Sequence, residues 1–464
     1  MLFHTQLFLV IFLPITFLGY LAAARIEPRW GALPRKLFLL AASLVFYAYW
    51  DVRLAPVLVG SVLVNWLILQ LSRPGQRGLV VFGVAANLTV LALFKYADFV
   101  ASNLADVFGT DHVRWEFALP LGISFYTFQQ ISCLVDRQRG TAPRYSLVDY
   151  ALYVSFFPQL VAGPIVRHDE LVPQFARPPL ATGAAERMGR GLTLLAVGLA
   201  RKVFIADPLG DIADPLFAAA GSGGAITFAE SWFAALGFAL QIYFDFSAYS
   251  DMAIGLALMF GFRLPVNFNA PYRAWSVGEF WRRWHMTLSR FLRDYLYFPL
   301  GGSRGGTLLA IRNTLITMLL SGLWHGAAWT FVAWGGLHGL AMACERIGRR
   351  LGLSLPRPAG WALTFLFVVA AFVLFRATSF EAAATIYGHM IGLDGFSLDF
   401  RGDGHHGVIP VALAIVLLLP PSQKLVLEWL PPRPWAAAAT AAVLIAGLLQ
   451  IGVGANEEFI YFQF

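Results

Sequence analysis

Two histidines have the type and setting to do chemistry. His325 lies inside a run of 32 residues, Asn313 to Cys344, that holds no Asp, Glu, Lys or Arg. Its neighbours are small and aromatic: Ser321-Gly322-Leu323-Trp324-His325-Gly326. An ionisable group at membrane depth is costly and rare, and points to function by default. The plainer alternative is an imidazole packed between helices with both ring nitrogens satisfied. His285 lies in 263–305, where seven arginines face only Glu279 and Asp294. Ser276 followed by Glu279 is a capping-box pattern, which predicts a helix running to about Tyr295. At 3.6 residues per turn, Glu279, Arg282, Arg283, Arg290 and Arg293 would share one side of that helix. His285 would fall beside them, on a face with Trp281, Leu288 and Leu292. An interfacial helix meeting lipid phosphates accounts for the arginines. It does not account for a histidine where leucine would serve.

Neutral imidazole is the usual general base near pH 7, and burial keeps it neutral. One histidine near a basic face and one deeper would suit activation of a hydroxyl for attack on an acyl thioester. The surrounding arginines would suit an anionic carrier such as coenzyme A. Asp245 and Asp251, in QIYFDFSAYSD at 241–251, need partners at membrane depth, and Tyr243, Ser247, Tyr249 and Ser250 are within reach in sequence. Satisfying a helix junction and taking part in catalysis are equally open readings of them. FFPQLVAGPIVR at 156–167 is a Pro/Gly-broken apolar stretch that could form a re-entrant cavity wall. His338 reads as structural. His405 and His406, in a glycine-rich loop, are weak metal candidates, so no metal site is expected. There is no Walker loop, HExxH, G-x-S-x-G or dinucleotide fingerprint.

The elements that must position these residues are membrane helices. The chain of 464 residues is 58% hydrophobic and 13% charged, with a mean hydropathy of +0.64. Soluble domains carry about 25% charged residues. Apolar runs near 6–24, 37–50, 54–72, 79–95, 118–135, 147–162, 190–206, 227–260, 307–322, 326–344, 360–375, 408–420 and 434–453 suggest ten to thirteen membrane segments. The window 227–260 suits one long helix or two short ones. At about 1.5 Å per residue, the run 313–344 exceeds a hydrocarbon core of about 30 Å, so a break at Gly322 or Gly326 is expected. The N-terminus reads as an uncleaved first span. Cys133 and Cys344 imply neither a disulfide framework nor a metal site. The net charge of +7 comes from arginines in loops between spans, which is the positive-inside signal and not one for nucleic acid. It places Arg25–Lys36, 137–144, 263–305 and 346–357 inside, with both termini outside. Re-entrant or interfacial pieces are expected between 163 and 226. No internal repeat is evident, and 1–464 reads as one membrane domain, with 263–305 on its cytoplasmic face and catalytic-core spans over 307–344.

These residues resemble the membrane-bound O-acyltransferase (MBOAT) family, in particular its bacterial alginate O-acetylation branch. The resemblance rests on LPLGISFYTFQ (119–129), FFPQLVAGPIVR (156–167), QIYFDFSAYSDMAIG (241–255), NFNAPYRAWSVGEFWRRWHMTLSRFLRDYLYFPLGG (267–302), SGLWHG (321–326) and FIYFQF (459–464). It implies an all-α polytopic fold around a central cavity, with the family histidine at His325 and its second polar position at His285. It implies acetyl transfer from acetyl-CoA as co-substrate, with no permanently bound cofactor. Trp324, Arg282, Arg283, Arg273, Asn267, Asp245 and Tyr243 become candidates for substrate or donor binding. A periplasmic acetyltransferase partner and a bacterial inner-membrane location would follow, with membrane lipids around the chain. Two rivals stay open: a transporter of an acyl carrier without chemistry, and a D-alanyl transferase to teichoic acid. The polymer, and whether His325 is base or acyl carrier, are open as well.

Overall fold

The computed structural model describes residues 1–112, 118–400, 407–453 and 459–460, and among them the chain forms helices and turns without strands. His405 and His406 lie outside the described residues. Among the described residues six helices are long and apolar enough to cross a membrane: Leu7–Arg25, Val52–Leu71, Gly78–Phe108, Thr307–His325, Arg357–Arg376 and Pro434–Ile451. A seventh crossing is possible if Val408–Leu418 and Ser422–Trp429, bent by 61°, act as one span. The protein is thus an all-helical polytopic membrane protein, as expected.

The number of qualifying spans is below the ten to thirteen read from hydropathy, for a physical reason. Some remaining apolar runs form short helices, such as Leu33–Ala48 and Leu147–Ser155. Others carry too many polar groups and lie inside the protein instead of against lipid. Phe228–Met259 is the clearest case, one continuous helix of 32 residues in which every residue from Gly237 onward is buried. Thr227 and Glu230 cap its start reciprocally. Ala184–Arg201, Asp207–Gly221 and Arg357–Arg376 pack around it. Ala184–Arg201 approaches so closely that a Cβ on Gly255 would lie 2.5 Å from the Gly191 carbonyl oxygen. Small residues permit such crossings between membrane helices.

The run 313–344 breaks as expected, just after His325. Gly326 is extended, and the next helix, Trp329–Arg350, folds back on Thr307–His325. A Cβ on Gly322 would sit 2.2 Å from the Phe331 carbonyl oxygen, and one on Gly335 2.2 Å from that of Met318. This hairpin is therefore held at backbone contact distance around the histidine.

The arginine-rich segment departs from expectation. Ser276 does cap Glu279, and the Glu279 carboxylate accepts from the Trp275 N–H at 2.9 Å. The helix, however, stops at Arg283. His285 follows with φ +40°, and a second helix runs Met286–Leu292. A left-handed backbone at a non-glycine residue costs of order 1 kcal/mol or more, so the surroundings must hold it there. The single stripe from Glu279 to Arg293 is consequently split in two.

Candidate active site

Three segments distant in sequence meet at His285. Its imidazole is buried, and Nδ1 lies 3.1 Å from Asn267 Oδ1. Asn267 Nδ2 donates to Ser250 Oγ at 3.3 Å, so Oδ1 is the oxygen presented to the ring. The same oxygen accepts from Thr287 Oγ1 at 2.8 Å, and Thr287 Oγ1 accepts from the Ile165 N–H at 3.0 Å. Ser250 comes from the central helix, Asn267 from the following loop and Ile165 from the buried 156–167 stretch. A neutral imidazole has one donor and one acceptor nitrogen. With Nδ1–H donating to Asn267, Nε2 carries the lone pair, and it has no hydrogen-bond partner among the described residues. His285 lies outside the spans named above, and burial pushes it down to about 3. It is a neutral acceptor at pH 7.

His325 closes the last turn of its helix and is 3% exposed. Its ring is boxed by Trp324, Trp334 and Phe375, with centroids 4.8, 5.2 and 5.2 Å away. The Trp324 ring also stands 6.2 Å from His285, so one indole neighbours both histidines. Beyond Trp334, His338 accepts from the Trp281 indole N–H at 3.2 Å.

A cavity of about 700 Å³ opens against this cluster. Its walls include Trp281, Met286, Thr287, Thr314, Thr317 and Met318, and its rim carries Arg282, Arg290, Arg293, Arg346 and Arg349. At 3.6 residues per turn, Thr314, Met318, Ser321 and His325 fall on one face of their helix, so the cavity wall leads towards His325. Arg290 is engaged by Glu170 at 2.5 Å, and Arg293 by Asp294 at 2.6 Å.

The expected binding residues divide. Trp324 and Asn267 are in the cluster, and Arg282 is on the rim. Arg283 turns away into a pair with Glu279 at 2.6 Å. Arg273 spends its guanidinium on the carbonyls of Val416 and Leu419. Asp245 pairs with Lys202 at 3.0 Å and accepts from the Ile460 N–H at 2.7 Å. Tyr243 is buried beneath the Arg201 guanidinium, 5.6 Å from its ring centroid. Of these seven residues only Arg282 lines the cavity. Thr287, Ser250 as a partner of Asn267, and the rim arginines Arg346 and Arg349 went unread. Arg346 and Arg349 follow a hydrophobic run, where a basic residue in the sequence signals only topology. Among the described residues no group of three or more His, Cys, Asp or Glu side chains could hold a metal ion.

Two buried histidines stand in one polytopic helical protein, behind a cavity edged by arginines. The MBOAT, membrane-bound O-acyltransferase family model matches residues 86–383, and the chain belongs to this family. It is therefore an integral membrane O-acyltransferase. It is 42% identical over 434 residues to the peptidoglycan O-acetyltransferase of Helicobacter pylori, covering 86% of this chain and 81% of that protein. It is 38% identical over 504 residues, spanning all of both chains, to the probable alginate O-acetylase AlgI of Pseudomonas putida. Similarity to the teichoic acid D-alanyltransferase of Streptococcus thermophilus is 27% over 230 residues, covering 48% of this chain and 55% of that protein.

Proposed function

We propose that this protein takes acetyl from acetyl-CoA on its arginine-rich side and passes it across the membrane for O-acetylation of an exported polysaccharide. The observation that carries this reading is the cavity that joins an arginine rim to the helix face bearing His325. The names of the relatives at 38–43% identity, which are peptidoglycan and alginate acetylating proteins, support acetyl as the acyl group. In this reading the rim is cytoplasmic, both termini are periplasmic, and the membrane is the bacterial inner membrane. The donor's phosphates meet Arg282 and Arg346, and its thioester descends past Trp281 and Met318.

His325 acts as general base. It takes the proton of the acceptor hydroxyl as the hydroxyl oxygen bonds to the thioester carbonyl carbon. The carbon–sulfur bond then breaks, and the leaving thiolate recovers a proton to become free coenzyme A. His285 relays that proton through its acceptor Nε2. The acceptor hydroxyl belongs to a periplasmic acetyltransferase partner, which carries the ester-bound acetyl away on the far side.

The test uses inside-out vesicles with radiolabelled acetyl-CoA. Wild type releases free coenzyme A and transfers label, while His325→Ala inserts normally and does neither. Thioester cleavage at the wild-type rate in His325→Ala would sink the assignment of the base. Dependence on an acidic carrier protein, with no use of acetyl-CoA, would replace acetyl by another acyl group.

A further inference from the structure

Lys95 lies deep in the span Gly78–Phe108, with 17 residues of helix before it and 13 after. It is half-buried, and a charge within a span pairs either with an opposite charge or with backbone carbonyls. Here the described residues offer no opposite charge, and Nζ instead donates to the main-chain carbonyls of Trp324 at 2.6 Å and His325 at 2.9 Å. The neighbouring Tyr96 hydroxyl donates to the Leu323 carbonyl at 2.9 Å. These are the last three carbonyls of the helix that carries His325. They fall among the carbonyls that a helix leaves without internal partners at its C-terminus, where a cation is also favoured by the helix dipole. The last internal bond there, from the Gly326 N–H to the Gly322 carbonyl, is long at 3.4 Å. Gly326 is extended and adds no grip of its own. The backbone of Trp324 and His325 is therefore fixed from a different span.

We propose that Lys95, assisted by Tyr96, is a positioning residue for His325: its ammonium clamps the final turn so that the imidazole points at the reacting centre. This rests on the reading of His325 as the base. The clamp and the aromatic box act on different parts of one residue, the carbonyl and the ring, and together they fix both. A neutral substitute would take the ammonium away from the Trp324 and His325 carbonyls, and the turn would loosen towards the gap before Trp329. Lys95 does not line the cavity, so donor binding should not depend on it.

The experiment compares full-length wild type, Lys95→Met, Lys95→Arg and His325→Ala in vesicles. Two readouts are taken: acetyl-CoA cleavage, and carbethoxylation of His325 by diethyl pyrocarbonate mapped by peptide mass spectrometry. A misplaced base costs on the order of 100-fold, so Lys95→Met should lower kcat by roughly 10- to 100-fold with KM for acetyl-CoA unchanged. Lys95→Arg should recover much of the rate, and His325 should react faster in Lys95→Met while His389 reacts as before. Wild-type kcat in Lys95→Met would overturn the proposal. So would a loss that follows only the folded fraction, with His325 reactivity unchanged. If His325→Ala cleaves normally, the base assignment fails, and the carbethoxylation comparison still decides whether Lys95 holds the histidine.

Discussion

Asn267 Oδ1 accepts from the His285 ring, from the Thr287 hydroxyl and from the Thr287 main chain. Replacing it by leucine removes that acceptor and frees the imidazole to choose its other tautomer. We expect Asn267→Leu to lower kcat by roughly 10- to 100-fold, the scale on which misorientation acts, with little change in KM. His285→Asn should retain the fold, because asparagine tolerates the left-handed backbone found there, and should lose the proton relay. At the rim, Arg282 and Arg346 have no ion pair among the described residues, whereas Arg283 is held by Glu279. A charge-assisted hydrogen bond is worth about 1.5–3 kcal/mol. Arg282→Gln and Arg346→Gln should therefore raise KM for acetyl-CoA by about tenfold or more, and Arg283→Gln should raise it less. Initial rates over a range of acetyl-CoA concentrations would check this. The two histidines could be read from sequence because an imidazole amid apolar residues is anomalous whatever surrounds it. Lys95 could not. It ended a hydrophobic run and looked like a boundary, since its partners are backbone carbonyls some 230 positions away.

The hairpin Thr307–His325 and Trp329–Arg350 depends on backbone contact. Overpacking costs typically 1–3 kcal/mol, and here the atoms met would be rigid carbonyls. Gly322→Val and Gly335→Val should each destabilise the protein by at least that much, read as a lower midpoint for aggregation of detergent-solubilised protein on heating. Gly336→Val, which meets only the end of Leu319, should be milder. The break in this hairpin was legible because glycines flank the histidine and the run is too long for one crossing. The break at His285 was not. The sequence from Ser276 to Tyr295 has helical spacing throughout, and the left-handed turn is imposed from outside by Asn267, which also accepts the Met286 N–H through its main chain. A local pattern carries no trace of such a tertiary demand. For the same reason Arg273 and Arg283 looked equivalent to Arg282. Charge and spacing show which residues are basic, and only packing shows which of them are already spent.

At the scale of the whole molecule, ion pairs tie the arginine-rich segment to distant parts of the chain, Arg290 to Glu170 and Asp294 to Arg167. Burial alone would raise the Asp294 carboxyl, but hydrogen bonds from Arg293 and Arg167 and the charge of Arg167 outweigh it and hold the group below the ordinary carboxylate range. A carboxyl depressed in the folded state lends stability that is fully present above its unfolded value of about 3.9 and is lost as pH falls through the folded value. Asp294→Asn should therefore lower thermal stability at pH 7, and the gap between variant and wild type should close below about pH 4. Thermal unfolding followed across that range would show it. The polytopic class was plain from composition, because few soluble chains are so apolar. The span count was not, since Phe228–Met259 is shielded by its neighbours from the lipid that hydropathy presumes.

That central helix also imposes a schedule on biogenesis. Asp251 is paired by Arg201, made earlier, but also by Ser422 and Gln423, separated from it by 171 and 172 positions. The Ile460 amide that reaches Asp245 is separated from it by 215. The ribosome must release the core helix long before these counter-groups exist, so the nascent chain waits in the bilayer with two carboxylates incompletely satisfied. During that interval it depends on the insertion machinery to shelter it. Chains cut short at residue 420 should accordingly be cleared by membrane proteases, even though every histidine of the catalytic cluster is already in place.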